Sequence, residues 1–138
     1  MSEANKIIVR RIAEEAWNER KYDRFDEFFA ADFVNNDPCT PDVKNLEQLK
    51  QWVVGIHNGF SDHHITIEDM VAEGDNVVKQ WSIKGTHDGE LMGIPPTNKQ
   101  INFSGITIYR IVDGKVKGCV WSYDTYGFMV QLGVIPSE

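Results

Sequence analysis

The chain is predicted to fold as an α+β domain, with helices packed on one side of an antiparallel sheet. Three observations point there. Apolar residues recur at helical spacing through the first sixty positions. From His64 onward the period changes to two and holds to Tyr123. Gly74-Asp75-Asn76 and Asp113-Gly114 interrupt that alternation with the tight connections of antiparallel hairpins. Helical segments followed by a run of long strands match a two-layer α+β arrangement rather than alternating βαβ units.

From Glu3 to Trp17, the residues Ile8, Ile12, Ala13, Ala16 and Trp17 form one helical face, with Arg10, Arg11, Glu14 and Glu15 largely opposite. A polar break at Asn18–Lys21 ends this helix. Tyr22, Phe25, Phe28 and Phe29 then mark a short second helix. Asn35-Asn36-Asp37-Pro38 reads as a turn, because Asx side chains bond nearby backbone and proline bars a helix before it. A third helix starts at Asn45, with Gln48 in the capping-box position, and carries Leu46, Leu49, Trp52, Val53, Ile56 and Phe60 as one stripe. His64–Glu73, Val77–His87, Lys99–Val112 and Lys115–Tyr123 are the predicted strands. Asp124–Leu132 closes the chain as a helix, with Gly133 as a left-handed C-cap.

With 138 residues, 1–138 is expected to form a single domain that needs no disulfide or metal staple. A net charge of −7 with scattered Lys and Arg excludes a phosphate-tracking surface, so no nucleic-acid partner is expected. No apolar run approaches a membrane span, and the start, MSEANK, has no signal-peptide core. Cys39 and Cys119 are far apart and form no C-x-x-C pair. The expectation is a cytoplasmic protein with reduced thiols.

Strand parity divides the last two long strands. Ile101, Phe103, Gly105, Thr107, Tyr109 and Ile111 share one face with Lys117, Cys119, Trp121 and Tyr123 as its counterpart. Ile106, Ile108, Val116 and Val120 fall on the other. Both faces are apolar enough to be covered, but the helices suffice for only one. A homodimer or higher homo-oligomer through the sheet is therefore expected. Between two strands lies Gly85–Thr97, GTHDGELMGIPPT, whose Pro95-Pro96 pair cannot sit in a central ladder. It is a stiffened connection of the kind that rims pockets.

Several segments, in order, resemble the SnoaL-like polyketide and ester cyclase family, whose fold is that of nuclear transport factor 2. They are Thr66–Asp75, Gly85-Thr86-His87, Gly93–Thr97, Arg110–Lys115 and Gln131-Leu132-Gly133. The resemblance implies a cone-shaped half-barrel: a curved antiparallel sheet wrapped by N-terminal helices around a deep apolar pocket. It implies chemistry without metal or cofactor, in better-known members an intramolecular aldol ring closure. Such a reaction needs a positioned carboxylate to take a proton from a carbon acidified by carbonyls. Counted along the Arg110–Lys115 hairpin, the family's catalytic aspartate falls on Trp121, one pocket histidine on Cys119 and another on Thr107. The pocket asparagine falls on Asn35, or on Asn36 if the turn shifts. The fold carries over, and the acid/base does not.

The catalytic candidates that remain are His87 and Asp124. His87 is either a base at the pocket rim or the residue that holds the Gly85–Gly93 loop. Asp124 is either an acid near the mouth or the N-cap of the last helix. His57, Asp62, His63 and His64 fit no standard zinc spacing and read as a solvated turn, so no metal is expected. Trp17, Trp52, Phe103, Tyr109 and Trp121, with Asn35, Thr107 and Cys119, are the expected ligand-binding wall. Aromatic walls of this kind suit a small hydrophobic molecule, whether the protein transforms it or only carries it.

Overall fold

A computed structural model of the chain describes residues 2–35 and 43–136. Of the predicted Asx-Pro turn only Asn35 falls among them; Asn36, Asp37 and Cys39 lie outside the described residues.

Helix α1 (Ser2–Arg11) runs directly into a π-helical stretch, Ile12–Asn18. The sequence predicts one continuous helix here, and the widened turn is the difference. Glu19 N donates to Glu14 O at 2.9 Å, the i→i−5 pairing that such a turn requires. Ile12 and Ala16 thereby enter the main core, while Ala13 packs against Ile65, Trp81 and Ile83. Asn18 ends the stretch by pairing with a strand as if it were backbone. Its Nδ2 donates to Ile65 O at 2.9 Å, and its Oδ1 accepts from Ile65 N at 2.8 Å.

Helix α2 (Asp23–Phe28) passes without a loop into strand β1 (Phe29–Asn35). The strand is absent from the sequence reading. Its first residues continue the helical spacing of Phe25 and Phe28, and Ala-Ala-Asp carries little β-propensity. Helix α3 (Leu46–Gly59) starts where expected: Asn45 Oδ1 accepts from Gln48 N at 2.9 Å, and Gln48 Oε1 accepts from Lys44 N at 2.9 Å.

Strands β2 (His64–Glu73), β3 (Asn76–Thr86), β4 (Gln100–Val112) and β5 (Lys115–Tyr123) form antiparallel neighbours, and β1 joins β5 in parallel. The sheet order is β1-β5-β4-β3-β2. Two bulges curve its antiparallel part. In β2 the register skips Glu68, so the buried side passes from Ile65 and Ile67 to Met70 and Ala72. In β5 it skips Lys117, because Arg110 pairs with Gly118 while Ile111 pairs with Val116. Strict alternation puts Val116 on the outer face with Val120. The bulge corrects this, and Val116 is fully buried beside Ile111.

Helix α4 (Thr125–Leu132) is capped by Asp124, whose Oδ1 accepts from Gly127 N at 2.9 Å, and ends at Gly133 with φ 84°. Gln131 repeats the device seen at Asn18. Its side-chain amide donates to Asn102 O and accepts from Asn102 N, both at 2.8 Å. Among the described residues no helix is long and apolar enough to cross a membrane.

Candidate functional site

The concave face of the sheet is organised in cross-strand rows. Trp81 of β3 lies opposite Gly105 of β4, and Gly105 opposite Tyr123 of β5. The next row is Lys79–Thr107–Trp121, and the one after it Val77–Tyr109–Cys119. Gly105 is required by close approach. A Cβ there would lie 2.5 Å from the Trp81 ring and 2.6 Å from Ser122 O. With no side chain in the way, the Trp81 indole lies flat enough for its Nε1 to donate to Thr107 Oγ1 at 2.8 Å.

The helices close over these rows and leave a cavity of about 70 Å³. Trp17 comes from the π-helical stretch, and Leu49, Trp52 and Ile56 come from α3. Phe103, Thr107, Tyr109, Cys119 and Trp121 form the strand side. Trp52 stacks on Trp121, with ring centroids 5.7 Å apart and planes at 23°, and meets Trp17 edge-on at 6.4 Å. Met92, 56 % exposed, brings the Gly85–Thr97 connection to the mouth.

Every expected wall residue except Asn35 lines this cavity. Asn35 is buried at the end of β1, where its Nδ2 donates to Val43 O. Neither catalytic candidate lines it. His87 is fully buried beneath the connection: its Nδ1 meets Thr97 Oγ1 at 2.9 Å, its N donates to Lys99 O, and its O accepts from Asn98 N. Asp124 is exposed at the start of α4.

Sequence reasoning missed Lys79. It is 1 % exposed and lines the cavity, with Nζ 5.2 Å from the centroid of the Tyr109 ring. Burial pushes its ammonium down to about 8, while the Cys119 sulfur acts in the opposite direction. Burial also raises the Tyr109 phenol. The signal was present in the sequence, because Val77-x-Lys79-x-Trp81-x-Ile83 puts a cation on an otherwise apolar strand face.

The solvated-turn reading of His57 and His63 is also corrected. Both are buried, with ring centroids 4.9 Å apart, and His63 stacks on Trp17 at 5.4 Å. Tyr22 Oη and His57 Nδ1 are 2.7 Å apart. Only His64 points to solvent. Burial lowers His57 to about 4 and His63 to about 3, so both imidazoles are neutral at pH 7. Among the described residues no group of three or more His, Cys, Asp or Glu could hold a metal.

The sequence model of the SnoaL-like polyketide cyclases matches residues 7–132. The chain belongs to this family. It is 30% identical over 129 residues to the aklanonic acid methyl ester cyclase DnrD of Streptomyces peucetius, covering 91% of this chain and 88% of that one. It is 31% identical over 125 residues to the nogalonic acid methyl ester cyclase of Streptomyces nogalater, covering 86% and 90%. A solved structure from Acidithiobacillus ferrooxidans, assigned as a polyketide cyclase, superposes with a TM-score of 0.84 at 28% identity, covering 95% of each chain. A SnoaL-like counterpart from Jannaschia sp. CCS1 gives 0.88 at 25%, covering 98% and 95%. The curved sheet and wrapping helices are thus the SnoaL-like fold, and the aromatic cavity occupies the interior of its cone.

Proposed function

We propose that this SnoaL-like protein holds a small hydrophobic aromatic or carbonyl compound in its cone and does not close polyketide ester rings through the family's carboxylate. The observation that carries this reading is the Trp52–Trp121 stack. It occupies the place where the resemblance puts the catalytic aspartate, and indole is a hydrogen-bond donor that cannot accept a carbon-bound proton. No Asp, Glu or His is among the described residues that line the cavity. An extended polyketide ester would have to displace both tryptophans.

The test incubates purified protein with aklanonic acid methyl ester and follows ring closure spectroscopically against buffer. No closure above the blank is expected. Closure that survives a Cys119→Ala, Trp121→Phe double change would overturn the reading. Activity gained on changing Cys119→His and Trp121→Asp together would support it. The lack of a carboxylate or imidazole at the cavity also favours a second reading, a carrier that binds without turnover.

We further propose that a second copy covers the outer sheet face. Val34, Ile106, Ile108 and Val120 are 43–50% exposed there, side by side on β1, β4 and β5. Sedimentation of the unmodified protein as a monomer would remove this proposal.

A further inference from the structure

Lys79 is the one cavity group for which the aromatic reading has no use. It lies on the middle row of the concave face, between the Trp81 and Val77 rows, and is all but fully buried. Among the described residues no carboxylate pairs with it; its ammonium faces the Tyr109 ring and is favoured by the Cys119 sulfur. An ammonium in an apolar cavity without a counter-charge is costly. With its pKa still near 8, it is nonetheless mostly protonated at neutral pH. A second donor stands directly across the ladder. Thr107 Oγ1 accepts from Trp81 Nε1, which leaves its own proton to give. Two donors on the floor and aromatic faces on the wall are complementary to a planar acid.

We propose that the cavity takes a small unsaturated or aromatic carboxylate, with its anionic oxygen seated on Lys79 and Thr107 and its flat frame against the aromatic wall of Trp17, Trp52 and Trp121. The inference rests on the reading of the cone as a ligand site and adds the chemical class of the ligand. Binding supplies the charge that the fold withholds from Lys79, so the ligand is favoured by the desolvated ammonium as well as by stacking. Met92 at the exposed mouth is the flexible side chain that yields to admit a ring.

The experiment titrates the full chain with benzoate and with its neutral isostere benzamide, read by calorimetry and by quenching of the cavity tryptophans. Benzoate should bind at least about thirtyfold tighter, the size of one buried charge-assisted hydrogen bond. Lys79→Met should erase the preference while still admitting benzamide, and should raise the melting temperature of the unliganded protein. Should that variant fail to fold, Thr107→Val supplies the second arm, with about tenfold or greater loss for benzoate and a smaller loss, about threefold, for benzamide, whose carbonyl accepts only a neutral hydrogen bond there. Equal affinity for the two probes on the unmodified chain would overturn the acid specificity and leave the cone a ligand site. Binding of neither would remove both readings.

Discussion

The two faces of strands β4 and β5 are built from similar residues and end in opposite environments. Thr107, Tyr109, Cys119 and Trp121 are buried on the concave side, while Ile106, Ile108 and Val120 stand exposed on the convex side. Apolar content therefore does not decide which face becomes the interior. Curvature and cover do. The bulges at Glu68 and Lys117 bend the sheet toward the face that α3 and the π-helical stretch close over. The concave side also collects the groups that water would otherwise solvate: Lys79, Thr107 and, behind Trp17, the His57–His63 pair.

Acid should break this comparison most strongly. His57 and His63 have folded-state values below the unfolded value of about 6.5, so the unfolded chain takes up protons first. Their contribution is full above pH 6.5 and is lost as pH falls toward 4 and then 3. At pH 5 the loss is about 2 kcal/mol for each imidazole. Urea unfolding at pH 8, 6 and 5 measures it, and a His57→Leu, His63→Leu double variant should flatten the curve. A stability that stays level between pH 7 and 5 in the unmodified protein would show that these rings are solvated.

Gly105→Ala comes next. The added methyl collides with the Trp81 ring and with Ser122 O, so a loss of about 3 kcal/mol is expected in thermal unfolding. On the exposed side of the same strand, Ser104→Ala should stay within about 0.5 kcal/mol. Equal effects would mean that the two faces are not distinguished by packing.

Asp124→Ala removes a cap and should cost about 1 kcal/mol, with ligand binding in the cone unchanged. Loss of binding with stability intact would return Asp124 to the site. The smallest folding effect belongs to the convex face. Ile108→Glu should change the stability of the isolated subunit by less than about 0.5 kcal/mol. It should still dissociate the proposed assembly, with sedimentation as the readout, since an unpaired charge in an interface is costly.

Much of the fold was legible because its punctuation is local. The Asn45–Gln48 cap, the Asp113-Gly114 hairpin and the Gly133 C-cap each depend on residues a few positions apart. Strand β1 was not legible, since Phe29 and Phe33 continue a spacing that begins in the helix before it. The bulges were not legible either. Skipping one residue leaves no compositional mark, and Val116 changed faces as a result. The strand side of the aromatic wall, Phe103, Tyr109 and Trp121, followed from parity. Lys79 is visible in that same parity, but a strand lysine ordinarily carries its ammonium to water, and nothing local marks this one as buried. His57 and His63 were misread for another reason: they meet across the turn from α3 into β2, beneath a tryptophan from the first helical segment. No spacing rule encodes that.

The side-chain amides of Asn18 and Gln131 have a consequence for the borders of the sheet. An open sheet ends in backbone groups that any extended peptide can pair with, and β2 is such a border. Asn18 occupies both groups of Ile65 on that border, and Gln131 occupies both groups of Asn102, where β4 outruns β5. Each amide fills one rung of a ladder with a group too short to propagate it. Strand addition is thereby discouraged at the first rung on β2 and beyond the end of β5, which leaves the convex apolar face to the proposed second copy.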